Sequence, residues 1–408
     1  MTDINHNRKR RGFAMIAALA FMVIVLALGV AMTTMATSEQ KSTRAGGQTL
    51  IVRNLAEAGI ERALNQMNTN PVWRCTGSPV DFTDKPLVET VGGATTTIGT
   101  YTVDPIIELG GDYLQVTAHG YSPAANGRGK LAKQVRVIAY KRWGTPFSAA
   151  AFGRNGVPLA NGETDSYNSD PATGGGTYGG TNVGTKGDIR TDSTNPSAIT
   201  ILNNGHCGGN VIYGPSTNLN SVTLDRSRIS GSVLSAPATA TMPDVAIPGD
   251  AIPISRINGG RNAITGSLAI PAGTYYCDSI SLTGNSIVTT SGRVYLYVTG
   301  SMFIGGNGIV NNNDMTGRLA RPCDLILYGT PTCTSVSISG NGALSAAVYA
   351  PEADIVLNGA GTSGNVYGSL AGKTVSFNGN GTVLHYDEAL QNVKGVVTGF
   401  SPKSWEED

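Results

Sequence analysis

Apolar residues run without a charge from Phe13 to Met32, twenty positions that make a helix of about 30 Å and match a bilayer core. Beyond that run the spacing changes. Val52, Leu55, Ala56, Gly59, Ile60, Ala63, Leu64 and Met67 recur at alternating steps of three and one, with Arg53, Asn54, Glu57, Glu61, Arg62 and Asn65 between them. This is the stripe of an amphipathic helix, so helix is expected over 13–70. Gly46-Gly47 interrupts it, and at about 1 kcal/mol per Gly relative to Ala a kink or local melting is expected there. From Pro71 to Trp143 the pattern turns to short alternating runs at 95–105, 113–118 and 134–140, separated by Gly110-Gly111 and by 125–129. These read as three antiparallel strands of a small meander over 71–145, closed by Gly144-Thr145-Pro146.

From 146 to 390 short β-branched or aromatic runs end in Gly and Asn. The pairs Gly284-Asn285, Gly306-Asn307, Gly340-Asn341, Asn358-Gly359 and Gly379-Asn380 place asparagine at intervals of 22, 34, 17 and 22. An interval near 20 marks a solenoid whose turns each supply short strands, with corners in positive-φ conformations that Gly and Asn tolerate. The long interval contains Cys323 and Cys333 with Pro322 and Pro331 beside them, which suggests an inserted loop closed by a disulfide. Pro237, Pro243, Pro248 and Pro253 predict an extended excursion near 235–255, and 391–408 reads as a tail. The expected fold is mainly β with a long N-terminal α-helix, a small antiparallel β head, and a right-handed parallel β-helix, with a β-sandwich as the alternative because Asn-Gly turns also serve hairpins.

Composition fits that reading. Charged residues are 14% and glycines number 54, against roughly 25% charge in an ordinary soluble domain, so exposed helical faces are scarce and tight turns common. Net charge is +1. The cluster Arg8, Lys9, Arg10, Arg11 with Asp3 carries +3 of it, so the remainder lacks the basic face that nucleic acid requires. The same cluster precedes the apolar run and is expected to stay cytoplasmic, which sends the body outward. A cleavable secretory signal has a shorter apolar region; Arg10-Arg11-Gly12-Phe13 has the paired arginines of a twin-arginine signal; an ordinary single-span anchor also fits.

The boundary Gly12-Phe13, where basic residues end and the apolar helix begins, resembles the type IV pilin and type II secretion pseudopilin superfamily. The resemblance implies cleavage by prepilin peptidase after Gly12, a leader over 1–12, and an N-methylated Phe13 as the first mature residue. That family places Glu at the fifth mature position, whereas this chain has Ala17. The departure is shared by some tip subunits, so the likeness is to PilX-like or tip minor pilins. Asn54-Leu55-Ala56-Glu57-Ala58-Gly59-Ile60-Glu61 resembles the same group. The runs 346–351, 356–359, 366–368 and 385–390, together with 165–169, resemble a β-helical domain at the C-terminus of large PilX-like proteins. What this implies is a structural minor pilin or pseudopilin, a tip or initiation subunit displaying a β-helix. Its partners would be prepilin peptidase, other pilin subunits and the inner-membrane assembly platform. It would be single-pass in the bacterial inner membrane, with its body periplasmic or on a pilus at the cell surface. The alternative is an adhesin binding a surface or glycan receptor.

Chemistry-bearing constellations are thin. Five cysteines, Cys75, Cys207, Cys277, Cys323 and Cys333, lack zinc spacing. Cys323 with Cys333 is the expected disulfide, and Cys207 with Cys277 a further pairing that leaves Cys75 free. No G-x-S-x-G occurs, and His385 beside Tyr386, Asp387 and Glu388 reads as a strand-end cap. The run 359–364 matches G-x-G-x-x-G but leads into a strand, so a solenoid corner is expected and no cofactor. A polysaccharide-active β-helix needs clustered carboxylates, and Asp324, Glu352, Asp354 and Arg293 are scattered along the chain. Glu163, Asp165 and Asp170 alternate oxygen ligands that suit Ca²⁺, or form an Asp-rich turn. The expectation is a protein without catalytic residues.

Overall fold

The computed structural model describes residues 6–69, 73–75, 82–91, 94–110, 112–123, 130–311, 321–339, 344–358, 365–393 and 395–407. It is mainly β with one long N-terminal helix, and divides into two compact units. Met1–Asn65, Arg74–Tyr140 and Ser401–Asp408 form the first; Gln66–Trp73 and Lys141–Phe400 form the second.

In the first unit the helix His6–Thr69 continues through Gly46-Gly47 without a break. An added Cβ at either glycine would meet nothing within 4 Å. About 1 kcal/mol each is too little to melt a helix with strong formers on both sides. Replacing both by Ala should therefore raise helix stability by about 1–2 kcal/mol, read as slower amide exchange across 40–52. The stripe does what its spacing requires: Val52, Leu55, Ala56, Ile60, Ala63 and Leu64 are buried. Opposite lies an antiparallel sheet in the order Lys85–Val91, Ala94–Val103, Tyr113–Ser122, Leu131–Gly144, Val396–Glu407, with Ile107–Gly110 also on Tyr113–Ser122. Its buried positions alternate, as one wetted face demands: Leu114, Val116 and Ala118, then Val135, Val137 and Ala139. At Gly120 an added Cβ would stand 2.0 Å from the Val52 carbonyl oxygen and 2.7 Å from the Ala56 nitrogen, so the strand backbone lies directly on the helix backbone.

The expected tail is instead the edge strand Val396–Glu407. Its charged end reads as a solvated tail in the sequence, but Glu407 pairs with Arg53 at 2.7 Å and Glu406 with Arg136 at 3.3 Å.

The second unit is one large sheet of parallel strands that stack layer on layer. Down its longest column Ile252, Tyr275, Leu296, Leu327, Val348, Leu370, Ala151, Ile189, Val211 and Val233 lie in register. A second column runs Ile264, Ile280, Met302, Val336, Ile355, Val375 and continues through Gly156–Leu159 to Ile199–Ile201. A third joins Val366, Leu384, Thr164 and Cys207. Nearly all these side chains point into one core shared by the columns.

The layers do not follow chain order. The chain enters at Ala151–Leu159, climbs through 189, 211 and 233, and then reappears at the opposite end at Ile252, from which it descends until Val366–Phe377 pairs with the entry strand. The segment 236–251 spans the whole stack. Nine layer steps of about 4.8 Å come to about 43 Å, and the seventeen steps from Ser235 to Ile252 reach about 53 Å as polyproline II. The strap must therefore run extended, which is what Pro237, Pro243 and Pro248 favour. Its contacts mark the path: Ala236 N–H donates to Tyr213 O, Ala240 N–H to Asp192, and Pro243 O accepts from the Tyr349 hydroxyl at 2.7 Å. Val245 seals an outer cluster with Tyr328, Tyr349, Phe152 and Leu390.

The expected loop between Cys323 and Cys333 is a regular core strand, Leu325–Gly329; Cys207, Cys277, Cys323 and Cys333 are free thiols, and all five cysteines are buried. Cys323 belongs to the outer cluster and Cys333 to the inner core. They flank a strand of about 16 Å, beyond the ~7 Å Cα separation a disulfide bridges. The excess residues instead fall in the sequence between Ile309–Asn311 and Leu325–Gly329, whereas one layer earlier three residues separate Thr290 from Val294.

Candidate functional site

Two features of the chain carry chemistry beyond packing: the exposed helix and the seam where Val366–Phe377 closes on Ala151–Leu159. Gly12 and Phe13 both fall inside the helix His6–Thr69. Within Ala18–Thr69 there is a stretch with mean hydropathy 2.4 and none of it buried, long and apolar enough to cross a membrane. Leu19, Phe21, Met22, Leu26 and Met32 all stand exposed on it. Its few hydroxyls bond inward: Thr33 to Gly29 O at 3.0 Å, Thr34 to Ala31 O at 2.8 Å, Thr37 to Thr33 O at 2.9 Å. These three hydroxyls thus spend their hydrogen-bonding capacity on the helix backbone.

At the seam, His385 stands beside Asp165 in the register of strands Val383–Asp387 and Glu163–Tyr167. Its Nδ1 lies 2.6 Å from Asp165 Oδ1, and the Tyr178 hydroxyl donates to Asp165 Oδ2 at 2.5 Å. The imidazole packs against the rings of both Tyr178 and Tyr367, with centroids 3.8 and 4.8 Å away. It is 3% exposed, and its Nε2 is buried without a partner. Burial and the neighbouring carboxylate of Asp165 push the Tyr178 hydroxyl well above its ordinary range, so it remains a donor. The neighbouring Ser166 hydroxyl is turned to Glu388, and what the pair does is tie residues 220 positions apart. Ser169 and Asp387, Ser166 and Glu388, Lys186 and Glu388, and Arg154 and Glu352 tie the same two halves. The seam is a polar latch on an otherwise apolar coil.

The other residues singled out in the sequence are dispersed. Glu163 opens its strand at an exposed position, Asp165 is engaged by His385 and Tyr178, and Asp170 caps the short turn Pro171–Thr173 while facing Arg321 at 3.8 Å. No group of three His, Cys, Asp or Glu suited to a metal occurs among the described residues. Arg293 pairs with Asp324, Glu352 with Arg154, and Asp354 accepts from Thr374. The pair Gly340-Asn341 and the run 359–364 lie outside the described residues. Sequence reasoning missed Tyr178 and Tyr367, which no local signal connects to His385.

Burial pushes the Asp387 carboxyl above its ordinary range, against hydrogen bonds from Ser169 and Ala389. A carboxyl that binds its proton more tightly when folded favours the folded state at low pH, and that contribution is lost as pH rises from the ordinary carboxyl range through the raised value. Asp387→Asn should therefore be at least as stable as the parent at pH 7 and lose that advantage towards pH 4. Thermal unfolding across pH checks this, and a variant destabilised at pH 7 but not at pH 4 would contradict it.

A family model described as a domain of unknown function, DUF7305, matches residues 277–393. No curated protein matches the chain in sequence. Among solved structures, an ice-binding protein from an Antarctic bacterium of the Flavobacteriaceae is 12% identical over 60% of this chain, with a TM-score of 0.32. The chain spans 48% of that protein's length. The DUF3494 domain of an ice-binding protein from Shewanella frigidimarina is 14% identical over 61% of this chain and 98% of its own, with a TM-score of 0.33. The competence-associated pilin ComZ from Thermus thermophilus is 11% identical over 88% of this chain and 97% of its own, with a TM-score of 0.23. All three TM-scores are too low to carry fold or function across to this chain.

Proposed function

We propose that this protein is a membrane-anchored minor pilin or pseudopilin of a type IV filament system, which holds a right-handed parallel β-helix outside the cytoplasm. The observation that carries the reading is the division of one helix into two parts. Residues 18–36 are exposed and almost wholly apolar, while Val52 to Leu64 bury their stripe on an antiparallel sheet. An exposed apolar face of that length needs lipid or other helices around it. The right-handed sense follows the general hand of parallel crossovers. In this reading prepilin peptidase cuts after Gly12, Phe13 is methylated, the inner-membrane assembly platform and other pilin subunits are the partners, and no reaction is catalysed.

Mass spectrometry of the mature chain tests it. A first residue at Phe13 with the apolar helix retained is the expected result; an N-terminus near residue 32 would sink the reading. With Ala17 where filament subunits of the family carry Glu, the protein should also be scarce in filaments, at most a few copies per filament by quantitative proteomics. Near-equal amounts with the major subunit would contradict a tip position.

A further inference from the structure

One cleft on the coil gathers charged and polar groups, some of them without a hydrogen-bond partner among the described residues. It holds about 370 Å³ and is lined by Asp170, Arg293, Tyr295, Arg321, Asn392 and Val393 among others. Arg321 is the residue that stands out. Its side chain is 24% exposed, it makes no side-chain hydrogen bond among the described residues, and its Nε is buried without a partner. Its one ion pair, to Asp170, is 3.8 Å long, beyond hydrogen-bond length. Half-buried guanidinium groups are ordinarily satisfied, so the exposed end of this one offers donors that no described residue takes up. The Tyr295 hydroxyl and the Asn392 amide also lack hydrogen-bond partners among the described residues.

The charges decide what that something is. Arg293 and Arg321 are balanced by Asp324 and Asp170, so a phosphate or sulfate would bring its charge against Asp170, and a cation would meet two guanidinium groups. The cleft instead presents donors and acceptors together: Arg321 donates, Asp170 accepts, and Asn392 does both. A ligand made of hydroxyls, each both donor and acceptor, answers that set. The electron-rich face of Tyr295 suits the polarised C–H face of a sugar ring. The volume is at the small end of ligand sites and suits one or two rings.

We propose that this cleft binds a neutral saccharide. The proposal deepens the displayed-coil reading and rests on it only for where the sugar is met; the chemistry is that of the cleft alone. Asp170 belongs to the half of the coil before the strap, and Arg321 and Asn392 to the half after it, so bound sugar should also raise the unfolding midpoint.

The test uses the full chain in phosphatidylcholine nanodiscs, free of glycoside detergents. Calorimetric titrations would use maltose, lactose, cellobiose and the β-1,4-linked N-acetylglucosamine dimer, with digalacturonic acid and inorganic sulfate as the anionic comparison. Saturable binding of at least one neutral disaccharide is expected, weakened at least tenfold by Arg321→Gln and by Asp170→Asn. Should either variant fail to fold, Tyr295→Phe removes only a hydroxyl and should weaken binding at least threefold. Tightest binding of digalacturonic acid or sulfate would overturn the proposal in favour of an anion site. No saturable binding of any neutral disaccharide, or binding unchanged in the variants, would overturn it outright. Neither failure would move the mature N-terminus, so it stays distinguishable from failure of the pilin reading.

Discussion

Deleting residues 246–251 from the strap is expected to strip a terminal layer from the coil. The deletion leaves eleven steps between Ser235 and Ile252, about 40 Å even when fully extended, against the roughly 43 Å that nine layer steps require. Either Val233–Ser235 or Ile252–Pro253 must leave its partner. Departure of the latter strand also uncovers Ile254, which is fully buried. At about 1.5–3 kcal/mol for each large aliphatic side chain exposed, the loss should reach about 3 kcal/mol or more, read as a lowered unfolding midpoint and as fast amide exchange in one end layer. Replacing the same six residues by Gly-Ser-Gly-Ser-Gly-Ser keeps the length and should cost far less. An unchanged midpoint in the shortened chain would mean that the strap does not run the length of the stack.

Gly120→Val should undo the packing of the first unit. The new Cβ meets two backbone atoms of the helix, at 2.0 and 2.7 Å, and Leu55 Cβ at 2.9 Å, and backbone cannot swing aside as a flexible side chain does. Helix and strand must separate. The cost should exceed about 3 kcal/mol, the upper end for overpacked cores. Hydrogen exchange would report it, with protection lost together at 52–64 and 113–121. Retained protection in both segments would show that the helix does not rest on this strand. Gly176→Ala, where an added Cβ meets nothing within 4 Å, should leave stability unchanged within about 0.5 kcal/mol.

The elements written in local periodicity were legible. The helical stripe, the alternating strands and the repeat near 20 residues all appear, and the asparagine count tracks the observed steps from Ile280 to Met302, Val336, Ile355 and Val375. What could not be read was order. Nothing near Leu370 announces that its neighbour is Ala151, because pairing across some 220 residues leaves no periodic trace. The Pro-rich excursion was visible, but its purpose depends on that pairing. The same blindness hid the surroundings of His385, whose aromatic walls come from Tyr178 and Tyr367 on other segments. The cysteines misled for a different reason: Pro322 and Pro331 read as loop residues, while the five between Asp324 and Thr330 form one of the most buried strands in the chain.

Because the strap runs beside every layer, it acts as a ruler for the coil. A solenoid whose turns follow chain order gains a turn by duplicating about 20 residues at any point, and nothing else need change. Here each added layer lengthens the path by about 4.8 Å, so the strap must gain one to two residues at about 3.1 Å each. Growth of this architecture is therefore a coupled event in two distant stretches of sequence, and the length of 236–251 sets an upper bound on how many layers its relatives can stack.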